Sequence, residues 1–293
     1  MSLSEPEILK SEIDSSVNFV WKQGNGQAIE ARYVRRHPEY VACYLSSQTA
    51  CEQACRFCHL TATGQNKPEE VQMMDLVWQA DKVLSYYKEV SVENPAQVVH
   101  YNFMARGEPM SNPFFVHTNQ PVLQDLAYCA MNYELLPRFL ISTIMPESLD
   151  PDKPLREYFP VIQPEIYYSL YTLRREFRRR WLPRAMDPMK ALRLLADWQQ
   201  HSKKIIRIHH ALIKDKNDGL GDAEQILTAV EEIGLRVDFT LVRYNPPTER
   251  DGQESNQYED YAGILRHSGK HRVKVIQRVG FDVAASCGMF VNP

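Results

Sequence analysis

Cys51-Glu52-Gln53-Ala54-Cys55-Arg56-Phe57-Cys58 is the stretch on which the reading of this chain turns. It holds three of the six cysteines; the others are Cys43, Cys129 and Cys287. A disulfide scaffold spreads its cysteines through a short secreted chain, whereas one tight cluster in a long chain points to metal in a reducing compartment. The C-x3-C-x2-C spacing lets three thiolates wrap one corner of a metal centre. Zinc takes four ligands in a structural site, or three plus water in a catalytic one, and His59 or a distant cysteine would complete such a set. A four-iron cluster held by three thiolates instead leaves one iron free to bind a further ligand.

Outward from the cluster, the pattern alternates. Segments 17–22, 27–34 and 40–47 each read as strands, and Gly24-Asn25-Gly26 joins the first two as a hairpin. The cysteines follow the third strand. Beyond them, helical patterns at 71–88, 121–133, 188–200, 222–233 and 258–266 interleave with strand-like runs at 97–103, 138–143, 165–171, 205–213, 235–242 and 273–278. That rhythm belongs to a parallel sheet with covering helices, open or closed into a barrel. No linker or internal repeat divides it. The expected organisation is a tail at 1–16, a small β extension at 17–38, and one catalytic domain over 39–293.

The 293 residues are 44% hydrophobic and 24% charged, which excludes disordered, collagenous and coiled-coil chains. No apolar run approaches the roughly 18 residues that a membrane helix needs. The acidic N-terminus, with Glu5, Glu7, Glu12 and Asp14, does not resemble a signal peptide. A cytoplasmic, membrane-free protein, expected to be monomeric, is the result.

Phe57, just before the third cysteine, completes C-x3-C-x-aromatic-C, a pattern that resembles the signature of radical S-adenosylmethionine (SAM) enzymes. Further segments resemble, in order, the RlmN/Cfr family of that superfamily, whose members methylate an adenosine of RNA. They are Ser46-Ser47-Gln48, Gly107-Glu108-Pro109 with Asn112, Ser142-Thr143, Ser169-Leu170-Tyr171, Lys216-Asn217-Asp218-Gly219, Tyr244-Asn245-Pro246 and Ala285-Ser286-Cys287-Gly288. The resemblance runs from about residue 17 to the end of the chain. It implies an α/β fold, a partial (β/α)6 radical SAM barrel with the small N-terminal β extension.

The same resemblance implies roles. Cys51, Cys55 and Cys58 would ligate a [4Fe-4S] cluster, and Gly107, Glu108, Ser142, Ser169, Leu170, Tyr171 and Asn245 would surround SAM. Cys287 would carry the methyl group: one SAM methylates its thiol, and a radical from a second SAM activates it for addition to carbon 2 or carbon 8 of adenine. Glu30 matches the family's base. A second cysteine, which releases the adduct, falls seven residues before Cys51 in the family, where Tyr44 stands here. Cys43 keeps the family's spacing from Glu30, and a one-residue bulge would reconcile the two, so Cys43 is expected to be the resolving thiol. Cys129, within an apolar helix, is expected to be core.

Three departures stand out. Tyr171 replaces a family histidine, and Met104-Ala105-Arg106 replaces Met-Gly-Met. The family's N-terminal RNA-binding domain and basic C-terminal tail are expected to have no counterpart in this chain. Net charge is −3, yet Arg174, Arg175, Arg178, Arg179, Arg180 and Arg184 cluster around Trp181. Placed at the C-terminal end of a barrel strand, that run is expected to face ribosomal or transfer RNA. An electron donor such as flavodoxin or ferredoxin is implied as a partner. The competing readings are a radical SAM enzyme acting on another small molecule, nucleotide or protein, and a non-catalytic iron–sulfur or zinc protein that binds RNA.

Overall fold

The computed structural model describes residues 5–293; the first four residues of the expected N-terminal tail lie outside the described residues. All ten strands join one sheet in chain order, β1 (Glu7–Lys10), β2 (Val17–Lys22), β3 (Ala28–His37), β4 (Tyr40–Tyr44), β5 (Val98–Phe103), β6 (Leu136–Thr143), β7 (Glu165–Tyr168), β8 (Ile206–Ala211), β9 (Val237–Val242) and β10 (Arg272–Val275). The β1–β4 pairs are antiparallel, and every pair from β4 to β10 is parallel. Within the expected tail, Glu7–Lys10 form β1 against β2.

Each parallel connection carries helix, as a parallel crossover requires. After β4 come α1 (His59–Ala62) and α2 (Met73–Val90), after β5 α3 (Pro113–Asn132), after β6 α4 (Leu155–Tyr158), after β7 α5 (Arg175–Trp181) and α6 (Pro188–Ser202), after β8 α7 (Leu220–Glu232), and after β9 α8 (Tyr258–Arg266). Six βα units and a last strand result. Alternate residues of successive strands, among them Tyr40, Asn102, Ser142, Tyr167, His209, Thr240 and Lys274, line one cavity of about 430 Å³, so the sheet curls into a partial barrel. Because β10 pairs only with β9 and the sheet does not close on itself, one side stays open.

The helices obey their sequence. In α2, Leu76, Ala80, Val83, Leu84 and Tyr87 make one buried stripe, and Gln72 with Asp75 closes a capping box at its start. Helix α3 begins eight residues before the expected position, at Pro113 behind the cap Asn112. Pro121, read as a start signal, lies inside, and Thr118 next to it leaves helical geometry at φ −129°. Proline lacks the N–H that the ladder needs and crowds the preceding turn, so the helix kinks there. Among the described residues, no helix is long and apolar enough to cross a membrane.

Candidate active site

The three clustered cysteines lie on a loop after β4, at the C-terminal end of the parallel strands, and all three line the cavity. Burial raises each thiol. In Cys55 the neighbouring Cys51 and Cys58 add to it, since each thiolate repels the next. Cys58 is pushed up to about 11, chiefly by burial. Among the described residues, no three His, Cys, Asp or Glu side chains converge on the sphere of a single metal ion. Three thiols on one cavity wall are a donor set that a polynuclear cluster, or a zinc ion with a further ligand, would accept.

The wall beside them is braced by motif residues. Gly107 has φ +93°, and a Cβ on it would lie 2.6 Å from the Gln48 Cβ, so only glycine permits the close crossing of these two segments. Gln48 Oε1 accepts from the Glu108 N–H at 2.9 Å, and the Asn112 amide donates to the Ser47 carbonyl at 2.6 Å while capping α3. Glu108 lines the cavity, its carboxylate accepting from the Met110 and Ile144 backbones. Burial dominates those hydrogen bonds and raises its pKa to about 7.

Ser142 and Ser169 also line the cavity. The buried Ser142 hydroxyl has no hydrogen-bond partner, whereas the Ser169 hydroxyl meets His209 Nε2 at 3.2 Å. The remaining nitrogen of His209 is unpartnered, and burial lowers that imidazole to about 4, so it is neutral near pH 7. Tyr171, at φ 65°, stacks on Phe57 with ring centroids 4.2 Å apart. Leu170 departs from expectation. It lies just past the end of β7, and its side chain packs in the core and not on the cavity.

Cys287 faces the cavity from a strap that follows β10. Its side chain has solvent access through the cavity yet sits deep among protein atoms; burial raises its thiol, and Arg32 and Arg36 pull it back. The strap is held at several points. The Asn245 amide donates to Ser286 Oγ at 3.1 Å and to the Cys287 carbonyl at 2.9 Å, and its oxygen accepts from Arg278. Asn245, expected beside SAM, thus spends its side chain on the strap. The His59 N–H donates to the Gly288 carbonyl at 3.0 Å, which ties the strap to the cysteine loop.

Glu30 belongs to the same anchorage. It is fully buried and absent from the cavity wall. Its carboxylate accepts from Arg106 Nε at 2.7 Å, Arg32 Nη2 at 2.9 Å, Asn18 at 2.9 Å and the Val291 N–H at 3.0 Å. Burial alone would raise its pKa, but the Arg32 and Arg106 guanidiniums outweigh it and hold the group below the ordinary carboxylate range. Arg32 and Arg106 donate in turn to the Met289 and Val291 carbonyls at 2.7 and 2.5 Å. The expected base is therefore a saturated structural anion. Arg106, noticed in the sequence only as a departure, is its principal partner.

Cys43 is not brought to the site. In the β3–β4 register it pairs with Tyr33, and both turn outward into the core beneath the helices, Tyr33 packing on Tyr86. Tyr44 pairs with Arg32, and both face the cavity. A bulge does interrupt the pairing, but between Val34 and His37, past Cys43, so it leaves the parity of this position unchanged. Burial, with Cys129 nearby, raises the Cys43 thiol well above its ordinary value. Tyr44 thus occupies the place expected of the resolving cysteine. Cys129 is buried in the core, as expected.

None of the members of the arginine run lines the cavity. Arg178 is buried and donates to the Leu170 and Met186 carbonyls, Arg174 pairs with Asp222 at 2.7 Å, and Arg184 pairs with Glu52 at 3.1 Å. Tyr44, Arg32 and His209 line the cavity without a role there having been read from the sequence. Only the strand alternation of 40–47 and 205–213 could have pointed to Tyr44 and His209.

A curled parallel sheet, a three-cysteine loop at its C-terminal rim and a braced Gly-Glu-Pro wall define the fold of radical SAM enzymes. The structure superposes on a radical SAM methyltransferase from Sphaerobacter thermophilus with a TM-score of 0.78, at 19% identity, covering 98% of this chain and 80% of that one. Along nearly all of its length the chain is similar to RlmN-type proteins. The probable dual-specificity RNA methyltransferase RlmN of Lachnospira eligens is 23% identical over 296 residues, covering 99% of this chain and 78% of its own length. Its counterpart from Clostridium botulinum is 26% identical, covering 96% and 77%. No protein-family model matches the chain.

Proposed function

We propose that this chain is a radical SAM methyltransferase that acts on an adenosine ring carbon of RNA, carbon 2 or carbon 8, with Cys287 as the methyl carrier. The observation that carries the reading is that one cavity holds the three cluster-type thiols and Cys287 together, with Cys287 fixed from both sides by Asn245 and the Glu30–Arg106 anchorage. The RNA-methyltransferase names of full-length relatives support the substrate class.

The residues present fit the two cofactors. Cys51, Cys55 and Cys58 would hold a [4Fe-4S] cluster, and the unpartnered Ser142 hydroxyl and the Glu108 carboxylate offer an acceptor and an anion for the polar end of SAM. Bound together, cluster and SAM would supply a 5′-deoxyadenosyl radical to take a hydrogen from the methyl group on Cys287, so that this carbon could add to ring carbons too poorly nucleophilic for polar methyl transfer. The chain's own part is enclosure and aim. Phe57 and Tyr171 form a stacked apolar wall that excludes water, and the strap presents Cys287 to the same space. Release of a Cys287 adduct is not assigned to Cys43 or Glu30, which lie off the cavity. An electron donor of the flavodoxin or ferredoxin type completes the system.

The test is peptide mass spectrometry of the cluster-loaded protein after incubation with SAM. A methyl group on Cys287, and loss of RNA methylation in Cys287→Ala, are expected. An unmodified Cys287 under conditions that cleave SAM would overturn the methyl-carrier role. One observation favours a second reading. With Tyr44 where a resolving thiol is expected, the same radical chemistry would serve another substrate, and SAM cleavage would then survive Cys287→Ala unchanged.

A further inference from the structure

From the open side of the barrel, we infer that Arg36, Arg272 and Lys274 form the phosphate-binding lip for single-stranded RNA, and that the arginine-rich α5 does not. The inference rests on the RNA reading above and names the surface that would grip the chain of nucleotides.

The edge strands of the sheet are β1 and β10, and beyond Tyr33 the end of β3 is paired only with β4, so there it faces the residues that follow β10 across an opening. Arg36 sits near the end of β3 and lines the cavity, with Nη1 reaching across the gap to donate to the Gln277 carbonyl at 2.9 Å. On the opposite flank, Arg272 and Lys274 alternate along β10, so both side chains point to the same cavity face. All three are exposed, and none has an ion-pair partner among the described residues. Asp238 neighbours Arg272 in the β9–β10 register and lines the same cavity without forming an ion pair with it. The other cations on the cavity wall are already neutralised: Arg32 by Glu30, Arg207 by Glu165 and Arg243 by Glu254.

An unpaired, solvated cation binds a phosphate without first breaking an ion pair, so it contributes in full to backbone affinity. Three such cations spread over two flanks of an opening suit a polyanionic strand passing over it better than one compact anion. Tyr40, stacked on His100 at 4.2 Å, lies on the same lining beside the end of β3, a flat surface for an unstacked base. On α5, by contrast, only Arg175, Arg179 and Arg180 remain unpaired, and they lie off the cavity.

The experiment measures binding of a fluorescent adenine-containing oligoribonucleotide to the cluster-loaded full chain across a salt series. R36Q/R272Q/K274Q is compared with R175Q/R179Q/R180Q, and melting curves check that both variants fold. The lip variant is expected to bind at least about 10-fold more weakly and to lose about 0.7 of salt slope for each phosphate contact removed. The α5 variant is expected to match wild type. R272Q/K274Q leaves the Arg36–Gln277 contact intact and is expected to lose about two thirds of that slope change. Weakening confined to the α5 variant would overturn the lip. Equal weakening toward adenosine monophosphate would make the lip a mononucleotide site and overturn its assignment to RNA. Salt-independent or absent binding by wild type would overturn the RNA reading itself, and the lip with it.

Discussion

At Glu108, a single buried carboxyl sets a pH dependence. Its pKa is raised to about 7 because burial outweighs the backbone donors at Met110 and Ile144. A raised folded value means that the protonated form is favoured in the fold: the associated stability is present below the ordinary carboxylate range and is lost as pH rises through about 7. Only the ionised form pairs with an ammonium group. SAM affinity of the cluster-loaded protein is therefore expected to strengthen as pH rises from 6 to 8, with roughly 10-fold lost per pH unit below the transition. Titration calorimetry at several pH values checks this. A slope that survives unchanged in Glu108→Gln would sink the assignment. The residue scale is also where sequence reading both succeeded and failed. The cluster thiols and the Gly-Glu-Pro wall were legible because their chemistry depends on local spacing. Cys43 was not, because strand parity decides it: one residue of offset turns a side chain from the cavity to the core, and spacing cannot say which of two adjacent residues faces inward.

At the scale of elements, the strap and β3 share one electrostatic joint. Glu30 on β3 is sandwiched between Arg32 and Arg106, and the same three residues hold the backbone of Met289 and Val291. Removing the anion leaves two buried guanidiniums, a change that costs about 3–5 kcal/mol. Glu30→Gln is expected to release the strap. Alkylation of Cys287 would speed up several-fold and proteases would cut beyond residue 285, while the barrel still melts cooperatively. Pairing Glu30→Gln with Arg106→Met removes one orphaned charge and is expected to restore much of the protection, whereas a proton-accepting role for Glu30 predicts no rescue by that partner and no change in alkylation. The joint was invisible in the sequence for a physical reason. Residues 30, 106 and 291 meet only through tertiary folding, just as Arg174 and Arg184 find Asp222 and Glu52 far along the chain. The βα rhythm, by contrast, was legible almost element by element, since burial on one face repeats locally. Helix α3 was one exception, where an internal proline imitates a start signal, and the short elements β1, α1, α4 and α5, too brief to show a period, were others.

Across the whole molecule, the cysteine loop and the two ends of the chain form one connected layer over the barrel mouth. The His59 N–H binds the Gly288 carbonyl, the Gln65 amide meets the Val291 carbonyl, and farther back Asp282 accepts from Ser11 and from the Glu12 N–H. Cluster loading therefore acts beyond its own ligands. Without metal, the three cluster-type thiols, with raised pKa values, stay protonated, and the loop between Cys51 and Cys58 is held by weaker contacts, among them hydrogen bonds from the Cys58 N–H to the Cys55 carbonyl, the Arg56 N–H to the Trp181 carbonyl and Gln53 to Ser111. Binding that requires thiolates in the folded geometry stabilises that geometry by mass action. Loss of the cluster is expected to lower the melting temperature by several degrees, corresponding to about 1–2 kcal/mol at this chain length. It is also expected to raise amide exchange most at residues 286–291, although these residues touch no ligand thiol except through His59 and the Glu30 joint. Exchange mass spectrometry on loaded and metal-stripped protein separates this coupling from simple loop loosening. If exchange rises only over 51–65 and the strap stays protected, the loop and strap are independent, and the strap's hold on Cys287 comes from Asn245 and Glu30 alone.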